Sequence, residues 1–246
     1  MTRHIERFLG VSAALLVLAA LAHPATARGV SHTSSGTGPA GHSWSRDSDV
    51  QGGGGSWSRN SETTGPNGKG VSTTATGSCS GGSCSAQSTT TGPNGKAMTT
   101  NATVQATGNG GWTVDKTAIG PNGQTVTVTG TGTCSAGAGC GKTLTGTGPN
   151  GQIWSKTGST QATGADGVTH NSTTTYPNGL SKTTATTVQA TGNGGWTKQS
   201  TTAGPLGGVW TTNGSGQCTG GACSASSVTT APNGAQGTRS VWVTAQ

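Results

Sequence analysis

Six cysteines are the most reactive side chains in this sequence, and they fall into three close pairs. The pairs are Cys79 with Cys84, Cys134 with Cys140, and Cys218 with Cys223. Each pair brackets a Gly-rich turn, where opposed strand positions come within reach of a disulfide. Metal binding is the alternative, but the spacing is not Cys-x-x-Cys and no histidine accompanies the pairs. We therefore predict three local disulfides and no metal site.

One segment resembles a phosphate-binding loop. Residues 136–143 have the sequence Ala-Gly-Ala-Gly-Cys-Gly-Lys-Thr. Such a loop needs a following helix whose N-terminus holds the phosphate. The residues from Thr143 to Thr147 alternate as a strand would, and Cys140 belongs to a repeated turn. We therefore predict no nucleotide site here.

Groups that could act in acid–base or nucleophilic catalysis are sparse. After residue 27 the carboxylates are Asp47, Asp49, Glu62, Asp115 and Asp166, and the histidines are His32, His42 and His170. A nucleophile, a base and an orienting group must converge in a pocket, and a thin array of repeats offers none. We expect no enzyme and no cofactor.

Two other sets of side chains are candidates for a binding surface. Trp112, Trp154, Trp196 and Trp210 could stack on the sugar rings of surface glycans, as in an adhesin. Thr125, Thr127 and Thr129 share one face of an alternating segment, which resembles the flat Thr-x-Thr arrays of β-solenoid ice-binding proteins. Turn packing for the tryptophans and strand propensity for the threonines are the simpler interpretations.

All these residues lie in a repeat whose period is marked by proline. Eight prolines lie 27 or 28 residues apart, mostly in Gly-Pro-Asn-Gly turns, at Pro39, Pro66, Pro93, Pro121, Pro149, Pro177, Pro205 and Pro232. Proline presets φ for such a turn and glycine supplies its left-handed residue. A second Gly-rich turn falls near the middle of each unit. The seven to ten residues between turns alternate with period two and are rich in β-branched side chains, which indicates strands.

The predicted fold is an all-β repetitive array of 27–28-residue strand–turn–strand units. The Pro-Asn-Gly turns favour an antiparallel hairpin meander. Recurring columns of tryptophan and of glutamine favour a β-solenoid in which equivalent strands stack; the glutamines are Gln105, Gln161, Gln189 and Gln217. We favour the meander and keep the solenoid as the alternative.

Composition excludes a compact domain with a large core. Of 246 residues, 46 are glycine, 28% are hydrophobic and 8% are charged, against roughly 45–50% apolar and about 25% charged in ordinary domains. The formal net charge is +7. It is spread thinly along the chain and gathers into no basic cluster, so no nucleic-acid partner is expected.

The beginning of the chain has the features of a secretory signal peptide. Arg3 and Arg7 precede an apolar run from Phe8 to Ala22, and Ala25-Thr26-Ala27 provides a cleavage site. The predicted domains are a signal peptide at 1–27, a Gly/Ser-rich flexible lead-in with a degenerate first repeat at 28–60, and the β-repeat array at 61–246. We expect a secreted protein, extracellular or at the cell surface, with the periplasm as an alternative. The mature chain is expected to have no membrane span and to have oxidised cysteines.

From Pro39 onward, the Gly-Pro-Asn-Gly turns alternating with Cys-Ser-Gly-Gly-Ser-Cys resemble a loose group of uncharacterised exported bacterial repeat proteins. More distantly, the short strand–turn repeats with recurring glutamine are similar to curli-type fibre subunits, whose units are shorter and lack cysteine.

These features predict a non-enzymatic structural repeat protein of the cell surface or extracellular matrix. Exposed strand edges would allow it to self-assemble. Seven lysines oppose such edge pairing: Lys69, Lys96, Lys116, Lys142, Lys156, Lys182 and Lys198. The alternative function is a binding module, either a glycan adhesin acting through the tryptophans or an ice-binding protein acting through the threonines.

Overall fold

The alternation between glycine turns produces sixteen strands. The structure is a computed structural model that describes residues 28–38, 40–164 and 166–245; the predicted signal peptide, residues 1–27, lies outside them. Three quarters of the described residues lie in strands. The strands are β1 Arg28–Thr37, β2 Ser43–Gly53, β3 Ser56–Thr64, β4 Gly70–Ser80, β5 Ser83–Thr91, β6 Ala97–Gly108, β7 Gly111–Ile119, β8 Thr125–Ser135, β9 Gly139–Thr147, β10 Ile153–Ala162, β11 Gly167–Thr175, β12 Ser181–Gly192, β13 Gly195–Ala203, β14 Val209–Thr219, β15 Ala222–Thr230 and β16 Gln236–Ala245.

Every strand pairs antiparallel with the next, and β1 also pairs with β16. This seam runs from Val30 opposite Ala245 to Thr37 opposite Thr238. The all-β prediction is confirmed, but both predicted architectures, the hairpin meander and the solenoid, are wrong, because the sheet closes into a barrel. Closure pairs the two outermost strands, which would otherwise remain as exposed edges.

The predicted turns form at both ends of the barrel. In the Gly-Pro-Asn-Gly turn after β5, the Gly92 amide donates to the Lys96 carbonyl at 2.9 Å, and Gly95 has φ +72°. In the middle turn after β6, Asn109 and Gly110 have φ of +49° and +73°. Asparagine and glycine are the residues that tolerate this left-handed region.

The alternating side chains give the barrel two chemically different faces. The buried side chains all lie on one of them, as the register shows: Ser34, Ser48, Ser61, Thr100, Ala102, Ala118, Leu144 and Thr174. Side chains on a concave wall converge and shield one another, so we assign this more buried face to the inside of the barrel. The other, outer face is mostly exposed serine and threonine, as in β8 from Thr125 to Thr133.

Residues 28–60, expected to be a flexible lead-in, form β1, β2 and the first half of β3 in this structure. Their strands belong to the same closed sheet, and the expected boundary at residue 60 falls within β3. Within the described part of the chain, the buried hydrophobic residues are Ala102, Ala118 and Leu144; so few are buried because the wall is one sheet thick. Among the described residues, no helix is long and apolar enough to cross a membrane.

Candidate anion-binding site on the inner face

The charged side chains of the described strands divide completely between the two faces. The carboxylates lie on the outer face: Asp47, Asp49, Glu62 and Asp115. The bases lie on the inner face: Arg46, Arg59, Lys116, Lys142, Lys156, Lys182, Lys198 and Arg239, together with His32 and His170. The expectation that positive charge gathers nowhere is therefore wrong, because closure collects the bases of many strands around one interior.

One group of bases lies on four consecutive strands, and we call it the lysine sector: Lys142, Lys156, His170 and Lys182. Burial lowers the pKa of Lys156, and Lys142 and Lys182 lower it further by repulsion. Burial also lowers the pKa of His170, with further repulsion from Lys142 and Lys156. The His170 ring is held by a 2.9 Å hydrogen bond between its Nδ1 and Thr160 Oγ1. Lys142 and Lys182 therefore both lie close enough to Lys156 to repel its charge, and the sector concentrates positive charge on adjacent strands.

A second group lies across the seam on β16, β1, β2 and β3, and we call it the arginine sector: Arg239, His32, Arg46 and Arg59. Burial is the first cause of a lowered pKa for His32, and all three arginines repel its charged form. Burial likewise lowers the pKa of Arg46 and Arg59; Arg239 repels Arg46, and Arg46 repels Arg59. Three arginines and a histidine whose protonation they oppose therefore share one part of the interior.

The tryptophans proposed as glycan-binding residues lie on the inner face and cover glycines of neighbouring strands. The rings of Trp112, Trp154 and Trp196 lie over Gly132, Gly146 and Gly216, where an added Cβ would collide with them. Trp210 is 39% exposed and packs against the turn glycines Gly204 and Gly208. Turn and strand packing accounts for these positions.

The threonines proposed as an ice-binding surface lie on the opposite side of the wall. Thr125, Thr127 and Thr129 are exposed on the outer face, so they share no surface with the four tryptophans. Trp242, which the sequence analysis did not single out, lies on the outer face and is 50% exposed. Trp242 alternates along β16 with Val241 and Val243, and this alternation in the sequence would have identified it as an outer-face residue.

The three predicted disulfides are present. Each joins directly opposed inner-face positions at a middle turn, with 4.0 Å between the Cα atoms. The segment resembling a phosphate-binding loop runs into strand β9. Within the described ranges, no group of three or more histidine, cysteine, aspartate and glutamate side chains is placed to hold a metal.

Comparison with known proteins supports the barrel and goes no further. No family model matches the chain, and no curated protein matches it. A solved structure described as "Asymmetric conductivity of engineered proteins" aligns with a TM-score of 0.63 and 9% identity, covering 90% of this chain and 99% of its own. A mutant of the Rh. blastica porin aligns with a TM-score of 0.62 and 10% identity, with the same coverage. At these identities the likeness shows that the chain shares the closed-barrel fold of these proteins.

Proposed function

We propose that this chain is an exported, non-enzymatic structural barrel of the cell surface or extracellular matrix that binds anions on its inner face. The observation that carries the proposal is the complete division of charge, with the described strand-borne bases inside and the carboxylates outside. A random arrangement of alternating residues would mix the two signs on each face. Rings of lysine and arginine line the pores through which channels select anions, and the same attraction acts on an anion beside these bases.

The electrostatics of the interior favour an external counter-ion. The pKa values of Lys156, His170 and His32 are all lowered by burial and by neighbouring cations, so the charged forms repel one another. The strand-borne carboxylates lie on the far side of the wall and cannot pair with them closely. A dissolved or polymer-borne anion that enters the barrel relieves this repulsion directly.

The outer face supports an aqueous location for the barrel. A membrane barrel presents an apolar band about 25 Å tall to the lipid. Here the outer face consists of exposed serine and threonine with four carboxylates, and its larger apolar residues are scattered: Ile119, Ile153, Val209, Val228 and Trp242. We therefore keep the secreted or cell-surface location, with the periplasm as the alternative, as part of the proposal.

Closure also changes the proposed mode of action. Fibre assembly was expected from exposed strand edges, yet β1 and β16 pair with each other along eight residue pairs. The described sheet therefore has no unpaired edge strand to extend, and the proposal does not rely on self-association.

The test compares two variants of the oxidised full-length protein that lose the same charge. K142Q/K156Q removes two inner-face lysines, whereas K69Q/K96Q removes two turn lysines. Pyrophosphate binding is measured by calorimetry at fixed ionic strength. The first variant should bind about tenfold more weakly, if each lost charge contributes about 0.7 kcal/mol, and the second should bind as the parent does. Equal weakening in both variants would mean that net charge, and not the inner face, attracts the anion.

A further inference from the structure

The arginine sector differs from the lysine sector in having a defined hydrogen-bonded frame. Ser48 and Ser61 lie directly opposite each other on β2 and β3 and are 3% and 7% exposed. Arg46 donates from Nε to Ser61 Oγ at 2.8 Å, and Arg59 donates from Nε to Ser48 Oγ at 2.8 Å. The two guanidinium groups therefore cross over a buried serine pair, each fixed through its Nε.

This arrangement leaves the ends of both guanidinium groups for another acceptor. A guanidinium presents five N–H donors in a rigid planar fork, and Nε uses only one of them. No carboxylate of the described strands shares this face. Arg239 adds a third positive charge close enough to act on both Arg46 and His32. Bidentate recognition by such fixed forks is typical of phosphate and sulfate binding.

A buried hydroxyl beside Arg46 supplies an independent sign of a missing partner. Ser34 lies directly opposite Arg46 across the β1–β2 pair. It is 0% exposed, and its Oγ has no hydrogen-bond partner in the structure. Buried hydroxyls are almost always paired, because an unpaired one loses its bonds to water without replacement. An oxygen atom of a ligand held by Arg46 would provide the acceptor that Ser34 lacks.

We infer that Arg46, Arg59, Arg239, His32 and Ser34 form a discrete site for a tetrahedral oxyanion, sulfate or phosphate, as the free ion or as an ester group on a polymer. Arg46 and Arg59 bind its oxygens through their terminal amino groups, Ser34 donates its hydroxyl, and His32 and Arg239 add positive charge. The site rests on the proposed function only in requiring that anions reach the inner face, since it shares no residue with the lysine sector.

Binding at this site is coupled to protonation of His32. The charged groups around His32 on the inner face are Arg46, Arg59 and Arg239, and all of them repel its cationic form. The carboxylates of the neighbouring strands, Asp47, Asp49 and Glu62, lie on the outer face. An oxyanion bound among the arginines therefore raises the pKa of His32, and its affinity increases as the pH falls through that pKa.

The experiment follows the His32 imidazole resonances of the full-length protein while sodium sulfate is added, with sodium chloride at equal ionic strength as the reference. Saturable displacement of the His32 signals by sulfate, with a raised pKa, supports the site. His42, in the β1–β2 turn, serves as the internal reference. A response equal to that of chloride, or one that does not saturate, overturns the inference. Repeating the titration with inorganic phosphate and with a sulfated oligosaccharide distinguishes the free ion from the ester.

Ser34→Ala is the decisive variant, because a purely structural role and a ligand-binding role predict different results. The substitution removes a buried unpaired hydroxyl, so the unliganded protein should be at least as stable as the parent. Sulfate affinity should fall by about threefold or more, and by about tenfold in Arg59→Gln. Unchanged affinity in S34A refutes the site even if R59Q fails to fold.

The K142Q/K156Q variant separates this inference from the proposed function. The site predicts that this variant retains the saturable His32 response to sulfate. Loss of pyrophosphate binding in K142Q/K156Q without any His32 response in the parent would uphold the proposed function and reject the site. The reverse pattern would uphold the site and reject a role for the lysine sector.

Discussion

Replacing Gly77 with alanine should destabilise the barrel, because the Trp57 ring occupies the space that a Cβ needs. A Cβ built at Gly77 lies 2.5 Å from Trp57 Cε2 and 2.6 Å from Cζ2, whereas carbon atoms in contact lie about 3.5–4.0 Å apart. The ring would have to move by about 1 Å. Overpacking of this kind costs about 1–3 kcal/mol, partly offset by the 0.4–1 kcal/mol or so that Gly→Ala contributes by restricting the unfolded chain. We expect a net loss of about 1–2 kcal/mol.

Gly141 provides a matched control. It lies within strand β9 on the outer face, and a Cβ at this position meets no atom within 4 Å. Only the effect on the unfolded chain remains, so Gly141→Ala should stabilise the protein by about 0.4–1 kcal/mol. The free energies of unfolding of the parent and both variants are compared by urea denaturation under oxidising conditions, with equal m-values as the check on the comparison.

The assignment to the Trp57 ring is tested by a double-mutant cycle. In a Trp57→Ala background the collision is absent, and Gly77→Ala should become neutral or slightly stabilising, which gives a coupling of about 1–3 kcal/mol. If G77A and G141A change stability equally, or if G77A destabilises W57A as much as it does the parent, the ring does not pack over Gly77 and the inner-face packing described above is incorrect.

Three further predictions concern the disulfides, the inner-face histidines and the β1–β16 seam. Cys134→Ser/Cys140→Ser should lower the free energy of unfolding by about 2 kcal/mol on the chain-entropy model, measured by denaturation of the oxidised variant against the oxidised parent; once reductant has opened every disulfide, the variant and the parent should unfold alike. The folded pKa values of His32 and His170 lie below their ordinary 6.5, so the folded state binds fewer protons and stability should fall as the pH drops below 6.5; H32Q/H170Q should flatten that profile. Ser35→Cys/Ser240→Cys, opposed across the seam and facing no native cysteine on the neighbouring strands, should form a disulfide detectable by mass spectrometry, and an open sheet would leave both thiols free.

The parts of the fold that could be predicted from the sequence are those set by neighbouring residues. A Gly-rich turn between Cys79 and Cys84 places two strand positions opposite each other, and the spacing alone indicates a disulfide. Proline, asparagine and glycine in fixed order define the other turn in the same local way. Strands, hairpins and disulfides therefore followed from residues fewer than about ten positions apart.

Closure could not be predicted in this way, because it depends on residues at opposite ends of the sheet. Val30 meets Ala245 only because each hairpin adds its own stagger and twist until the sixteenth strand reaches the first. The pattern within one repeat therefore does not indicate whether the accumulated stagger and twist close the sheet. The weak first repeat, with its Gly/Ser-rich composition, also hid the fact that Arg28–Thr37 supplies the strand that closes the barrel.

The division of charge was present in the sequence but was not recognised. Lys182 stands at the position of the repeat that Trp44, Trp154 and Trp210 occupy in other units, and the structure places all four on the inner face. Arg46 lies on the same face of its strand as these four residues, whereas its neighbour Asp47 lies on the opposite face. Counting net charge along the chain averages the two faces together, whereas counting it by strand parity separates them.

The chain resembles porins in the path of its backbone and differs from them in the side chains that each face presents. The backbone is a closed sixteen-stranded antiparallel barrel in which every strand alternates between two faces, and that geometry does not decide which chemistry faces outward. A porin places apolar residues on the outside, whereas this chain places hydroxyls and carboxylates there and bases within. Function therefore has to be argued from the faces and not from the fold.

Because this interior gathers bases with no carboxylate of the described strands beside them, the folded protein should become more stable as multivalent anions occupy the interior. The midpoint of thermal unfolding should therefore rise with pyrophosphate concentration in the parent and rise less in K142Q/K156Q.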